Sequence, residues 1–304
     1  RVSRIMSRIM KIMGLNGNSF APLLLGFGCS VPAILSTRRI EGRNDRLVTI
    51  AILPMMSCAG RLPICMMFVS ALFPSHLQAT VLFGIYAAGI LLALLCARLL
   101  KNTFFKTVQR DAPHRLKRLR IPSLRKVGLL MWSRAFMYVR KAGTFILGAS
   151  IILWFLNTYP RPEEGTAENA AAAMEHSYAG QIGHWMEPVT RVAGFDWKVN
   201  SALLGAFAAK EIFVTQMGIL YAVQDGDSGP EAQQTLNTRL KASYTPLQGI
   251  SIMIFCLIAL PCIGTVTVAK REAGTWWFAL AQFAGLTVMG FVTATVVYQV
   301  GLLL

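Results

Sequence analysis

Acidic residues are scarce in this 304-residue chain: 14 Asp and Glu stand against 30 Lys and Arg, and both signs together make up only 14% of it. Soluble domains carry roughly 25% charged residues, so a water-exposed shell around one core is excluded. Histidine is rarer still, with four. No Ser/His or metal-binding His motif falls within a hydrophobic segment, which argues against an intramembrane hydrolase. The six cysteines form no CxxC pair, so neither a zinc ribbon nor a thioredoxin-like site is encoded, and a disulfide framework is not expected. GxxxxGK[ST] is absent too, so the chain cannot hold the phosphates of GTP by that motif. A net charge of +16 is unaccompanied by any RNA- or DNA-binding motif, and no nucleic-acid partner is expected.

What is abundant is apolar: 54% hydrophobic residues and a mean hydropathy of +0.51. Uncharged runs at 79–97, 142–159, 242–269 and 273–304 suit the ~20 residues that a helix needs to cross the hydrocarbon core. They lack period-2 alternation, which excludes a barrel. The expected fold is all-α, a polytopic integral membrane protein whose partner is the lipid bilayer. Between 98 and 126 lie ten Lys or Arg against one acid, Asp111, whereas 158–198 carries six acids and three bases. The positive-inside rule puts the first loop in the cytoplasm, together with Arg38, Arg39, Arg43 and Arg46, and the second loop outside. The chain begins at Arg1 without a methionine or signal-peptide pattern, and a fragment of a longer protein is expected.

Four segments are interrupted. Residues 12–37 contain Gly14, Gly17, Gly26, Gly28, Pro22 and Pro32, which fits a re-entrant or broken helix better than a clean span. Residues 47–73 hold Pro54, Pro63 and the intramembrane Arg61; 199–224 has Lys210 and Glu211 at its centre; 242–269 is broken by Pro261. Irregular backbone at membrane depth is tolerated only inside protein or along a cavity. A short repeat, Leu24-Leu25-Gly26-Phe27 against Leu203-Leu204-Gly205-Ala206, each followed by a Leu-Pro near a cysteine, points to two related halves. The expected division is 1–13, a basic amphipathic interfacial helix with Arg1, Arg4, Arg8 and Lys11; 14–100, the first repeat; 101–141, a basic cytoplasmic loop and interfacial helix; and 142–304, the second repeat.

Cys29, Cys58 and Cys262 each sit beside a helix breaker, where the unwound backbone offers both carbonyls and sulfur to an ion; cysteine selects for transition metals. Cys65, Cys96 and Cys256 read as packing residues, and Met55-Met56 and Met66-Met67 as core filler. Glu211 is a cavity-facing ligand or ion relay, with Lys210 as its counter-charge or snorkelling, since a charge at that depth costs roughly 2.5–3.5 kcal/mol. Arg61 is a structural counter-charge. His176, His184, Glu175 and Glu187 read as a solvated face.

The motifs GFGCSVPAI, LPMMSCAGRLP, GAFAAKEIF and PCIGTVTVAKRE, in this order across almost the whole chain, resemble the signatures of the FeoB family of bacterial ferrous iron transporters. Ser30 stands where Asn is frequent in that family, and Ala59-Gly60 where Ser-Ala is common. The resemblance implies inverted gate-type repeats, Fe(II) as the transported ion, and a multi-pass location in the bacterial cytoplasmic (inner) membrane. It places Cys29, Cys58, Cys262 and Glu211 on or beside the iron route, with Ser30, Ser57, Arg61 and Lys210 in support. It further implies a GTP-binding domain in cis or in trans, with GTP and Mg2+ held there and not in this chain, which has no cofactor of its own. Small cytosolic accessory Feo proteins and a homo-oligomer complete the expected partners. A nucleoside or other solute transporter of related architecture, and a membrane scaffold or sensor subunit, are the alternatives; neither reading makes the chain an enzyme.

Overall fold

The computed structural model describes residues 10, 15, 17–40, 42–103, 123–160, 174–221 and 230–303, and all their regular structure is helical. The expected interfacial helix at 1–13 lies outside the described residues except for Met10, and most of the basic loop, 104–122, lies outside them too.

Thirteen α-helices are described: α1 (Phe20–Gly26), α2 (Ser30–Ser36), α3 (Arg43–Ile52), α4 (Leu62–Leu72), α5 (Ser75–Thr103), α6 (Leu124–Thr158), α7 (Tyr178–Thr190), α8 (Trp197–Ala208), α9 (Lys210–Leu220), α10 (Pro230–Ser243), α11 (Pro246–Ile258), α12 (Ile263–Ala273) and α13 (Trp276–Leu303). Among the described residues four stretches are long and apolar enough to cross a membrane: Arg43–Leu72, Ser75–Thr103, Pro246–Ala273 and Trp276–Leu303. The chain is therefore an all-α, polytopic membrane protein. The run expected at 142–159 is the end of α6, a single 35-residue helix that passes without interruption through the boundary expected at 141–142.

Contacts at the helix ends fix the topology. Glu272, in the last turn of α12, accepts hydrogen bonds from Arg38, just after α2 (2.9 and 2.5 Å), and from Arg46 in the first turn of α3 (2.5 Å). Lys101 in the last turn of α5 pairs with Asp45 in the first turn of α3 at 3.3 Å. Ser19, before α1, shares a hydrogen bond with Thr49 at 2.9 Å. The start of α1, the end of α2, the start of α3, the ends of α5 and α12 and the start of α13 thus share one basic end. Trp276 and Trp277 at that end are exposed, and the Lys270 ammonium lies over the Trp276 ring, as interface anchors do.

At the opposite end, Asp196 caps α8 by accepting from the Val199 amide and binds the Tyr244 hydroxyl ahead of α11. Burial raises the Asp196 pKa, and those two hydrogen bonds oppose the rise. Thr245 and Gln248 close a reciprocal cap at the start of α11. Arg239 donates to the Tyr221 carbonyl just past α9, and the Lys198 ammonium covers the Tyr221 ring. Helices α8 and α9 thus both open toward this end, and α1 and α2 toward the basic one. Each pair is a re-entrant hairpin. The α3–α4 and α11–α12 pairs cross the core as broken helices, and α5 and α13 cross it intact.

These elements pair off between halves. Contacts of α1 with α2, α3 with α5, α4 with α5 and α4 with α9 match those of α8 with α9, α11 with α13, α12 with α13 and α12 with α2. α5 ends at the basic end whereas its counterpart α13 begins there, so the repeats are inverted. Both helices bury one stripe at helical spacing, with small residues along most of it: Ile85, Gly89, Ala93 and Ala97 in α5 and Leu286, Gly290 and Ala294 in α13. Small side chains let backbones approach where no hydrophobic effect draws helices together.

Candidate ion site at the helix breaks

Two of the four breaks follow from the donors that proline lacks. Pro32 has no N–H for the Gly28 carbonyl, one helical turn back, and that carbonyl instead accepts from the Ala59 amide at 3.2 Å. Pro54 similarly frees the Ile50 carbonyl, which Gln282 of α13 caps at 2.7 Å. At the fourth break Leu260 is forced to a φ of +53°, a conformation that costs a non-glycine residue about 1–3 kcal/mol. The third break, at Ala209, has neither glycine nor proline beside it. Gly205 explains the room for the return of α9, because a Cβ there would lie 2.2 Å from Gln216 Oε1 and 2.8 Å from Ile212 Cγ2. Nothing local explains why the helix opens at that residue.

Backbone geometry sets the register between the repeats. Cys29 (φ −152°, ψ 131°) matches Ala209 (φ −150°, ψ 136°), and Cys58 (φ −72°, ψ 160°) matches Cys262 (φ −62°, ψ 156°). Gly26 therefore corresponds to Ala206, one residue off the alignment suggested by the Leu-Leu-Gly string, and the cysteines superpose while the Leu-Pro pairs do not. In this register Ser30 corresponds to Lys210, Val31 to Glu211, Gly60 to Gly264 and Arg61 to Thr265.

The breaks meet one another. A Cβ on Gly60 would sit 2.8 Å from Glu211 Oε1, and one on Gly264 would sit 3.6 Å from Val31 Cγ2, so each hairpin tip rests against the Cys-x-Gly turn of the other half. Lys210 is buried, and its ammonium donates to the carbonyls of Cys256 (3.4 Å) and Ala259 (3.2 Å). Arg61, also buried, donates to the carbonyls of Met56 (3.2 Å) and Ala259 (3.5 Å). Among the described residues no ion pair joins Lys210 to Glu211. Carbonyls at helix C-terminal ends, which carry the negative end of the macrodipole, hold both cations instead. Sharing the Ala259 carbonyl brings the two charged nitrogens within about 7 Å, where they repel by roughly 2 kcal/mol at an effective dielectric near 20. Arg61 Nε and the Ser57 hydroxyl are buried without a hydrogen-bond partner among the described residues.

The cysteines separate by position. Cys29, Cys58 and Cys262 are half-buried, each at the first residue before a helix or turn, and Cys262 Sγ lies 3.1 Å from Thr265 Oγ1. Cys65 and Cys256 are sealed in the core, and Cys96 is half-buried against the Met289 sulfur. Glu211 and Met66 are exposed, while Met55, Met56 and Met67 are buried. Ser30 is buried at the tip of the first hairpin. Among the described residues no three His, Cys, Asp or Glu side chains gather closely enough to hold a metal, so the three thiols and Glu211 are separate positions rather than one closed shell. His184, exposed, lies 3.6 Å from Glu175 and 3.5 Å from Glu187 and stacks on Trp197; His176 is exposed nearby.

The family model described as "Gate: Nucleoside recognition" matches residues 1–72 and 139–276, and "Ferrous iron transport protein B C terminus" matches residues 82–134. The chain is 38% identical to an Fe(2+) transport protein A/Fe(2+) transporter FeoB fusion protein of Porphyromonas gingivalis, over 100% of this chain and 40% of the relative. It is 34% identical to the Fe(2+) transporter FeoB of Campylobacter jejuni, over 97% of this chain and 48% of the relative. Identity to that of Staphylococcus aureus is 37%, over 99% and 43%. No solved structure matches. The chain thus spans less than half the length of these curated relatives. With the first model covering both hairpins and both broken helices and the second covering α5 and the start of α6, the chain belongs to the Gate family, as a FeoB member corresponding to the C-terminal part of those relatives.

Proposed function

We propose that this chain is the ion-conducting part of a ferrous iron transporter that moves Fe(II) inward across the bacterial cytoplasmic membrane. Control comes from a GTP-binding domain, in the same polypeptide or a separate one, which holds GTP and Mg2+; small cytosolic Feo proteins and further copies of the chain are its other partners. The chain itself catalyses no reaction. One observation carries the reading: four helix breaks meet in the protein interior and expose three thiols, Cys29, Cys58 and Cys262, beside unwound carbonyls, a donor set that suits a soft or borderline divalent metal. A nucleoside is not favoured, because the breaks present sulfur, Glu211 and main-chain oxygen rather than a pocket of aromatic and amide groups, and because the relatives are named as Fe(2+) transporters.

The test compares thiols in different backbone settings. In the full-length protein, serine at Cys29, Cys58 or Cys262 is expected to lower Fe(II) uptake at least about tenfold, the equivalent of losing one ligand worth ~1.4 kcal/mol. Serine at Cys65, Cys96 or Cys256 should leave uptake within about twofold. Glu211→Gln should join the first group. Abundance and detergent melting are measured alongside, and equal uptake by all six serine variants at equal abundance would remove the thiols from the pathway.

Sidedness is a separate expectation. The basic end, with Arg38, Arg46 and Lys101, faces the cytoplasm, and the end with Glu175, Glu187 and Asp196 faces out. Single cysteines at Arg115 and Glu164 in a cysteine-reduced background should react with an impermeant maleimide from opposite faces of oriented vesicles. Labelling of both from one face contradicts the orientation.

A further inference from the structure

Threonine hydroxyls inside these helices turn back on the carbonyl four residues earlier, as those of Thr49, Thr267, Thr287 and Thr293 do at 2.7–2.8 Å. Thr265 breaks the pattern. It lies in the first turn of α12, so the carbonyl four residues back is that of Pro261, in the break ahead of the helix. Its hydroxyl lies 3.1 Å from Cys262 Sγ instead, and has no other hydrogen-bond partner among the described residues. Thr265 is 2% exposed, so bulk water does not compete for the contact.

The cap of α12 leaves the sulfur free for this role. Cys262 occupies the position where a serine or aspartate oxygen would accept from the Thr265 amide, but that amide bonds the Cys262 carbonyl at 2.8 Å and the thiol takes no part in the cap. The first repeat builds the same turn without the hydroxyl. There the Arg61 amide meets the Cys58 carbonyl at 3.0 Å, yet the Arg61 side chain leaves for the carbonyls of Met56 and Ala259. Of the two thiols that the repeat makes equivalent, only Cys262 is held by the third residue beyond it. A thiol gives up its proton on binding a metal, and only the hydroxyl can then donate across the contact. Donors to a metal ligand fix its direction and stabilise its charge.

We infer that Thr265 is a positioning residue of the ion route: its hydroxyl fixes the Cys262 side chain and donates to the sulfur once a metal has replaced the proton, a role that Arg61 does not fill for Cys58. The metal part of this assignment rests on the proposed function; the hold on the sulfur does not.

Alkylation of the full-length protein by iodoacetamide, resolved residue by residue with mass spectrometry, tests both parts, since Cys262 and Cys58 are only half-buried. Without metal, Thr265→Val keeps the branched shape and loses the hydroxyl, and should slow alkylation at Cys262 about threefold or more, because the thiolate that reacts has lost its donor. Thr265→Ser, which retains the hydroxyl, should react at the wild-type rate, and Cys58 should be unchanged in both variants. A wild-type rate in Thr265→Val, or the same slowing in Thr265→Ser, overturns the hold on the sulfur. Cadmium(II), a thiophilic probe, is then titrated as protectant. The concentration that halves alkylation at Cys262 should rise about tenfold in Thr265→Val, as loss of an outer partner does to metal sites, and stay within about twofold in Thr265→Ser. Equal protection of Thr265→Val and wild type overturns the positioning role. If cadmium fails to protect Cys262 in wild type while the metal-free rates change as expected, the thiol is no metal ligand: the metal part of the assignment falls together with Cys262 in the proposed function, and the hold on the sulfur stands.

Discussion

Glu272→Gln is expected to destabilise the protein by about 2–3 kcal/mol and to lower its detergent melting temperature by several degrees. The carboxylate side chain is 2% exposed and takes hydrogen bonds from Arg38 and Arg46. Removing one partner of a buried ion pair costs about 3–5 kcal/mol, because the other is left uncompensated. The lower figure applies here because the Arg38 and Arg46 side chains are 49% and 30% exposed and recover part of their hydration. Glutamine keeps the shape and one acceptor, so the variant reports charge rather than packing. The carboxylate ties the end of α12 to the end of α2 and the start of α3, which belong to different repeats. The charge-reversed pair Arg46→Glu with Glu272→Arg should therefore recover more stability than the two single variants predict. A melting temperature unchanged in Glu272→Gln would show the link to be inert.

The second large effect is expected at Gly290. A Cβ there would lie 2.7 Å from the Ala259 Cβ and 3.1 Å from its backbone nitrogen, distances that only movement of the break itself can relieve. Gly290→Val should cost about 1–3 kcal/mol through overpacking and depress uptake strongly, since the Ala259 carbonyl it displaces is the acceptor shared by Lys210 and Arg61. Gly285→Val on the same helix is the control, because nothing lies within 4 Å of its Cβ position. Equal loss in both variants would trace the effect to the helix and not to the break.

Much of the architecture was legible because its causes are local. Pro32, Pro54 and Pro261 announce breaks by the donors they lack, and the charge asymmetry of the loops orders the two ends. The register of the repeat was not legible: Leu-Leu-Gly recurs one residue out of step with the backbone, and only the dihedral match of Cys29 with Ala209 places it. The break at Ala209 has no breaker of its own, so sequence exposed it only as two charges in an apolar run. Sequence offers Lys210 as a counter-charge to Glu211 or as a snorkelling side chain; the chain opens between Ala208 and Lys210, and the ammonium turns to carbonyls about fifty residues downstream while the carboxylate lies against Gly60. Such long-range satisfaction of main-chain oxygen has no periodic signature.

The first hairpin also constrains how the protein can be made. Its tip leans on Ala59 and on the Gly264 turn, and its exit is fastened by Glu272, 234 residues after Arg38 in the order of synthesis. Until α12 leaves the ribosome, this hairpin lacks its fastening and the freed carbonyls of the first repeat lack half of their surroundings, in a solvent that cannot hydrate them. The first hairpin therefore cannot gain its full set of contacts before α12 has been made, and a chain that ends ahead of α12 lacks the carboxylate that holds Arg38 and Arg46.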